Sequence, residues 1–156
     1  MINHTTQLDK FFADYEARMN RALAEPPEID VEATASAFAD CFVEASPAGV
    51  NCGQNNAEFR ERIPKGMAFY RSIGTKSMTI TSTEVTPVDA YHMMVRAHWK
   101  AEYAKKDGSE DTINFDVVYF VQTLNDTPKI FAYITGDEQQ AYKEHGLVPE
   151  NEQAKT

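Results

Sequence analysis

No stretch of the sequence stays apolar for the roughly 20 residues that a membrane-spanning helix requires, so a membrane partner is not expected. Basic residues are also scarce: 15 Lys and Arg stand against 24 Asp and Glu, giving a net charge of -9. An acidic surface repels phosphate backbones, and no Arg- or Lys-rich stripe offsets it, which excludes nucleic acid as an expected partner. The densest basic pair, Lys105-Lys106, adjoins Asp107-Gly108, where a turn would place it in any case. The four histidines and the carboxylates show no metal-ligand spacing, and no Gly-x-Gly-x-x-Gly segment, phosphate loop or nucleophile elbow occurs. Neither a metal nor any other cofactor is therefore expected. There are only two cysteines, Cys41 and Cys52, whose spacing fits no metal or redox motif. Two thiols are expected in preference to a disulfide. The first residues, Met1-Ile2-Asn3-His4-Thr5-Thr6, lack the basic and apolar segments of a signal peptide, which predicts a cytoplasmic protein.

What is present has the proportions of one globular domain. Of 156 residues, 42% are apolar and 25% charged, enough to bury a real core. The domain is expected over 1–148, with 149–156 as a disordered polar tail. Leu8, Phe11, Phe12, Tyr15, Met19 and Leu23 recur at helical spacing, and Glu25-Pro26-Pro27 stops that helix. Asp30 caps a second predicted helix, with Val31, Ala35, Phe38 and Phe42 on one face. Asn55 followed by Glu58 resembles a capping box that opens a third, which Pro64 should kink or divide. After Gly74 the period changes from 3.6 to 2. Strands are predicted over 76–86, 90–104, 111–123 and 129–135, joined by turns at Pro87-Val88-Asp89, Asp107-Gly108 and Asn125-Asp126. Asp137 and Gln140 then frame a short final helix. The order of three helices followed by a meander of strands predicts an α+β protein: helices packed on a strongly curved, mainly antiparallel sheet that forms a cone.

Three segments carry a family resemblance: Phe38-Ala39-Asp40-Cys41-Phe42-Val43-Glu44, the hairpin around Asp107-Gly108, and the last strand Lys129-Ile130-Phe131-Ala132-Tyr133-Ile134. Over roughly 7–145 the layout resembles the NTF2-like superfamily, the cystatin-like α+β cone, and its SnoaL-like branch in particular. The resemblance implies a fold that encloses a pocket, not an activity. Ketosteroid isomerases in that superfamily are similar at a tyrosine of the first helix, here Tyr15, and at an acidic donor on a late strand, near Asp116. The resemblance implies that these two would form an oxyanion hole. The isomerase base, an aspartate before a proline, is replaced here by Ser46 before Pro47. A serine hydroxyl does not remove a carbon-bound proton unaided, so the resemblance stops short of that mechanism.

Strand parity decides which residues can form a site. If even-numbered residues of 111–123 face inward, Asp116, Val118 and Phe120 line the pocket; if odd ones do, Phe115, Val117 and Tyr119 line it. Trp99, Tyr103 and Tyr119 read either as an aromatic wall for a flat ligand or as core. His92 and His98 share a polar strand face with Arg96 and Lys100 and read as solvated. The segment Val117-Val118-Tyr119-Phe120-Val121 is apolar on both faces, which predicts a second layer across the sheet and hence a homodimer. The sequence thus leads to a pocket protein for a small apolar organic ligand, with Asp116 and Tyr15 as candidate catalytic groups. Trp99, Tyr103, Tyr119 and Phe120 are the candidate ligand contacts. Cofactor-free isomerase, dehydratase or hydrolase chemistry and a dimeric interaction module are the alternatives.

Overall fold

The computed structural model describes residues 4–149; the tail expected to be disordered lies, beyond Pro149, outside the described residues. Helix α1 (His4–Leu23) is followed by the short α2 (Val31–Ser36) and a hairpin, β1 (Phe38–Ser46) and β2 (Gly49–Gln54). Helix α3 (Ala57–Ser72) leads into the meander β3 (Thr75–Pro87), β4 (His92–Ala104), β5 (Glu110–Leu124) and β6 (Thr127–Ile134). Helix α4 (Glu138–Glu144) closes the described chain. The six strands form one sheet in the order β2-β1-β6-β5-β4-β3, antiparallel except where β1 runs parallel to β6. The sheet is curled and unclosed, in keeping with the expected α+β cone.

The hairpin between α2 and α3 corrects the expected order of elements. Residues 38–44 are strand, not helix: Phe38, Val43 and Glu44 pair with Ile130, Ala132 and Tyr133 on β6, and Cys41 to Ser46 pair with β2. The four-residue spacing of Phe38 and Phe42 suits a helical face and a strand face equally, so pairing on both sides decides the outcome. The α3 cap also sits one residue later than expected. Asn56 accepts from Phe59 N at 3.0 Å, while Asn55 donates to Ala35 O at 2.7 Å and Phe38 O at 3.1 Å, fastening α2 to β1. Pro64 lies inside a continuous α3 instead of dividing it.

The core lies between the sheet and the helices. Strand β4 buries Met93, Val95, Ala97, Trp99, Ala101 and Tyr103 in strict alternation, and β5 buries Ile113, Val117, Tyr119 and Val121 opposite them. From α1, Leu8, Phe12 and Leu23 fill the space above. Helix α1 also guards an exposed sheet edge. Asn20 donates to Met78 O and accepts from Met78 N, both at 2.8 Å, so a side-chain amide occupies backbone groups of the edge strand β3.

Gly74 joins α3 to β3 with φ +91°, and a Cβ there would stand 2.2 Å from Ala104 O. Gly66, on the exposed side of α3, has no atom within 4 Å of the same position. We expect Gly74→Ala to destabilise by about 2 kcal/mol or more and Gly66→Ala to stabilise by about 0.5–1 kcal/mol. Urea melts of the two variants check this; equal stability for both would show that Gly74 is not constrained.

Candidate functional site

The register of the sheet sets one continuous row of side chains on its inner face. Glu44 on β1 pairs with Tyr133 on β6, Tyr133 with Tyr119 on β5, and Tyr119 with Val95 on β4. Directly opposed residues share a face, so two phenols and a carboxylate are presented together. Two repeats of the pleat away, Trp99 pairs with Phe115, and their rings lie 6.3 Å apart with planes only 6° from parallel. Residues of β1 near one edge and Met78 of β3 at the other border the same cavity, which requires the sheet to bend around it. Tyr15 and Met19 of α1, Tyr70 of α3 and Glu138 of α4 complete the wall. The cavity measures about 290 Å³. That is the lower end of the ~300–1,000 Å³ typical of small-molecule sites.

Hydrogen bonds inside this wall run in one direction. The Trp99 indole can only donate, and its Nε1 lies 3.3 Å from the Tyr119 hydroxyl. Tyr119 is therefore free to pass its own proton on, and it hydrogen-bonds Tyr15. The Tyr15 hydrogen is left over at the end of the chain. Burial pushes Tyr15 up to about 12 and Tyr119 well above the ordinary phenol value. Both are neutral donors at any physiological pH.

Two carboxyl groups also border the cavity, in different surroundings. Glu44 shares a hydrogen bond with Tyr133, whose phenol is raised first by burial and then by that bond. Glu138 follows the α4 cap, Asp137, whose side chain accepts from Gln140 N at 2.9 Å. Burial alone lifts the Glu138 carboxyl above its usual range. Ser46 stands at the rim with its Oγ accepting from Ala48 N at 3.1 Å. Among the described residues, no group of three or more His, Cys, Asp or Glu is placed to hold a metal ion.

Residues 6–138 match the family described as NTF2-like protein (DUF6841). The chain belongs to this NTF2-like family. No curated protein matches it. Among solved structures, an NTF2-like protein with a cystatin-like fold from Novosphingobium aromaticivorans superposes with a TM-score of 0.65 at 11% identity, over 92% of this chain and 88% of that one. A ketosteroid isomerase-like protein from Erwinia carotovora atroseptica gives 0.61 at 14% identity, over 87% and 97%. An NTF-2 like protein of unknown function from Shewanella oneidensis MR-1 gives 0.60 at 16% identity, over 86% and 100%. At these identities the likeness concerns the fold alone.

Within the NTF2-like fold, odd-numbered residues of β5 face inward, and this parity sorts the residues singled out from sequence. Tyr15, Trp99 and Tyr119 meet at the cavity, with ring centroids 6.1 to 6.2 Å from Tyr15 to each of the other two. Tyr103 is buried in an adjoining recess of about 120 Å³, which it shares with Tyr142 and Glu138. Phe120 points to the outer face, 6.2 Å from the Phe131 ring. Asp116 is on that outer face too and does not reach the cavity, so the structure does not pair it with Tyr15. Its carboxylate contacts His98 Nδ1 at 2.6 Å and Arg96 Nη1 at 3.5 Å. Glu44, Tyr70, Tyr133 and Glu138 were not anticipated. The signal for Glu44 was hidden by reading 38–44 as helix, and Glu138 by the loop that carries it back over the sheet. Cys41 and Cys52 are free and exposed.

The outer-face cluster has its own pH signature. His98 lies between Glu84, 3.0 Å from Nε2, and Asp116, 2.6 Å from Nδ1, and these bonds raise it above 6.5. Protonated His98 is favoured in the folded state. Its share of stability is therefore fully present below the ordinary value of 6.5 and is lost as pH rises through the raised value. Stability measured in urea should fall across that window, and Asp116→Asn should flatten the fall. An NMR titration placing His98 at or below the ordinary value would contradict this.

Proposed function

We propose that this NTF2-like protein binds a small, largely apolar organic molecule in its aromatic cavity, held at one end by the Tyr15 hydroxyl. The observation that carries the reading is the Trp99–Tyr119–Tyr15 chain, which leaves the Tyr15 hydroxyl as a neutral donor beside the aromatic part of the cavity. A buried donor left without an acceptor is costly, and a ligand carbonyl or hydroxyl would satisfy it. The same donor would stabilise negative charge developing on a ligand oxygen, so cofactor-free acid/base chemistry is the natural extension. Asp116 has no part in that extension, because it faces away from the cavity.

Trp99 is the only tryptophan, so its emission reports directly on the cavity. Titration with a series of aryl ketones from acetophenone upward should change that emission saturably. Tyr15→Phe should weaken binding roughly tenfold, about 1.4 kcal/mol for one lost hydrogen bond. Absence of any saturable change across the series, or unchanged affinity in Tyr15→Phe, would count against the reading.

A second reading concerns the outer face. Val118, Phe120 and Phe131 stand there partly buried, with Val43 and Ile134 still 37% and 46% exposed. We propose that this stripe meets its counterpart in a second copy of the chain. Light scattering at micromolar concentration should give a dimer mass, and Phe120→Arg a monomer mass. A monomer for the parent protein would rule the dimer out.

A further inference from the structure

The cavity contains charge of one sign. Glu44 and Glu138 border it, and among the described residues no Lys, Arg or His side chain does. Among the described residues neither carboxylate has an ion-pair partner, and the acids on the outer face contrast with them. There Asp116, Glu84 and Glu102 each meet a basic group within 4.0 Å. The Arg18 guanidinium lies 5.9 Å from the Tyr15 ring centroid but borders a separate recess of about 40 Å³. Glu44 is compensated by the Tyr133 hydroxyl. Glu138 is compensated by nothing comparable, and four phenols, Tyr15, Tyr70, Tyr103 and Tyr142, feel its charge.

Much of the rest of the wall is aromatic, beside neutral residues such as Met19, Asn51, Met78 and Thr135. Tyr15, Tyr70, Trp99, Phe115, Tyr119 and Tyr133 all border the same 290 Å³. The face of each ring carries partial negative charge and attracts a cation within about 6 Å, by about 0.5–2 kcal/mol depending on how far water is excluded. Rings and carboxylates therefore act in the same sense: an anion in this cavity would meet like charge at Glu44 and Glu138 and only neutral donors elsewhere. A carboxyl raised by burial is what an acid without its counter-ion displays, and a cation beside it reverses that cost.

We propose that the ligand is an organic cation, an amine carried on an aromatic or aliphatic frame, with its ammonium group held by Glu138 among the cavity rings. This rests on the pocket reading above and names its ligand class. It assigns to Glu138 a direct contact with the ligand's charge, and to Glu44 a supporting negative charge across the cavity.

The test compares amines with alcohols of the same frame: benzylamine, 2-phenylethylamine and 1-naphthylmethylamine against benzyl alcohol, 2-phenylethanol and 1-naphthylmethanol. Calorimetric titration near pH 7, where such amines are protonated, should give roughly tenfold tighter binding for each amine than for its alcohol. Glu138→Gln should bring the amines down to the level at which the alcohols bind that same variant. A thermal melt matching the parent protein shows that the variant keeps its fold. Glu44→Gln should weaken the amines by a smaller factor. Alcohols that bind as tightly as amines, or an amine preference that survives Glu138→Gln, would overturn the inference and leave the pocket reading standing. Failure of both series to bind would overturn the two together.

Discussion

The pairing of β4 with β5 is the constraint on which the rest depends. It runs without a break from His92↔Gln122 to Ala104↔Glu110, and its period of two divides every residue on these strands between two environments. Trp99↔Phe115 and Val95↔Tyr119 go to the dry side, His98↔Asp116 and Met94↔Phe120 to the other. A slip of one residue would put Trp99 and Tyr119 in water and a histidine–carboxylate cluster into the core. No single contact at the site could survive that exchange. The register is held by its own apolar half, since Val95, Ala97, Ala101 and Val121 are fully enclosed.

Once the register is set, the cavity's electrostatics follow from how its elements arrive. The donors come from the middle of the sheet and from α1, where packing is tightest: Trp99 and Tyr119 are 3% and 4% exposed. The carboxyls come from the periphery, Glu44 from the strand beside the β2 edge and Glu138 from the first residue of α4. Helix α4 is in turn fastened by His145, whose Nδ1 lies 2.6 Å from Asp111 Oδ2, and by the buried Tyr142. The centre is thus fixed by hydrophobic packing, whereas the acidic wall is fixed by a few polar contacts at the sheet's ends. Burial keeps the phenols of the first group neutral. Glu138, raised by burial, is the acid that responds most to a charge entering the cavity.

This division also explains what was legible in the sequence. The strict alternation of 93–103 made β4 plain, and its inward set contains Trp99 without further assumption. The turn at Asn125-Asp126 was equally clear, and both residues adopt positive φ, 52° and 60°, as a tight hairpin requires. Parity on β5 stayed open because Val117 to Val121 is apolar on both faces, and only the pairing with β4 resolves it. Asp116 was attractive as an isolated acid among hydrophobics; its partners His98 and Arg96 come from the neighbouring strand, and Glu84 completes the cluster from β3. The β1 strand was misread because helical and strand periods coincide over four residues. With it went Glu44, whose position opposite Tyr133 depends on a parallel pairing that no local pattern announces.

The donor chain and the acidic wall ask different things of a ligand. The last hydrogen, on Tyr15, needs an acceptor, whereas Glu138 needs a donor or a positive charge. A hydrocarbon answers neither, and a simple carboxylic acid answers the first while worsening the second. Water answers both, but a water needs two to four polar partners, and stacked Trp99 and Phe115 give it none along that stretch of wall. On the proposed reading, a group that left neither pole unmatched would have an oxygen at one end, an ammonium at the other and an apolar frame between them. The aromatic rings then serve both poles, since their faces attract the cation and their bulk keeps water from competing for the Tyr15 hydrogen.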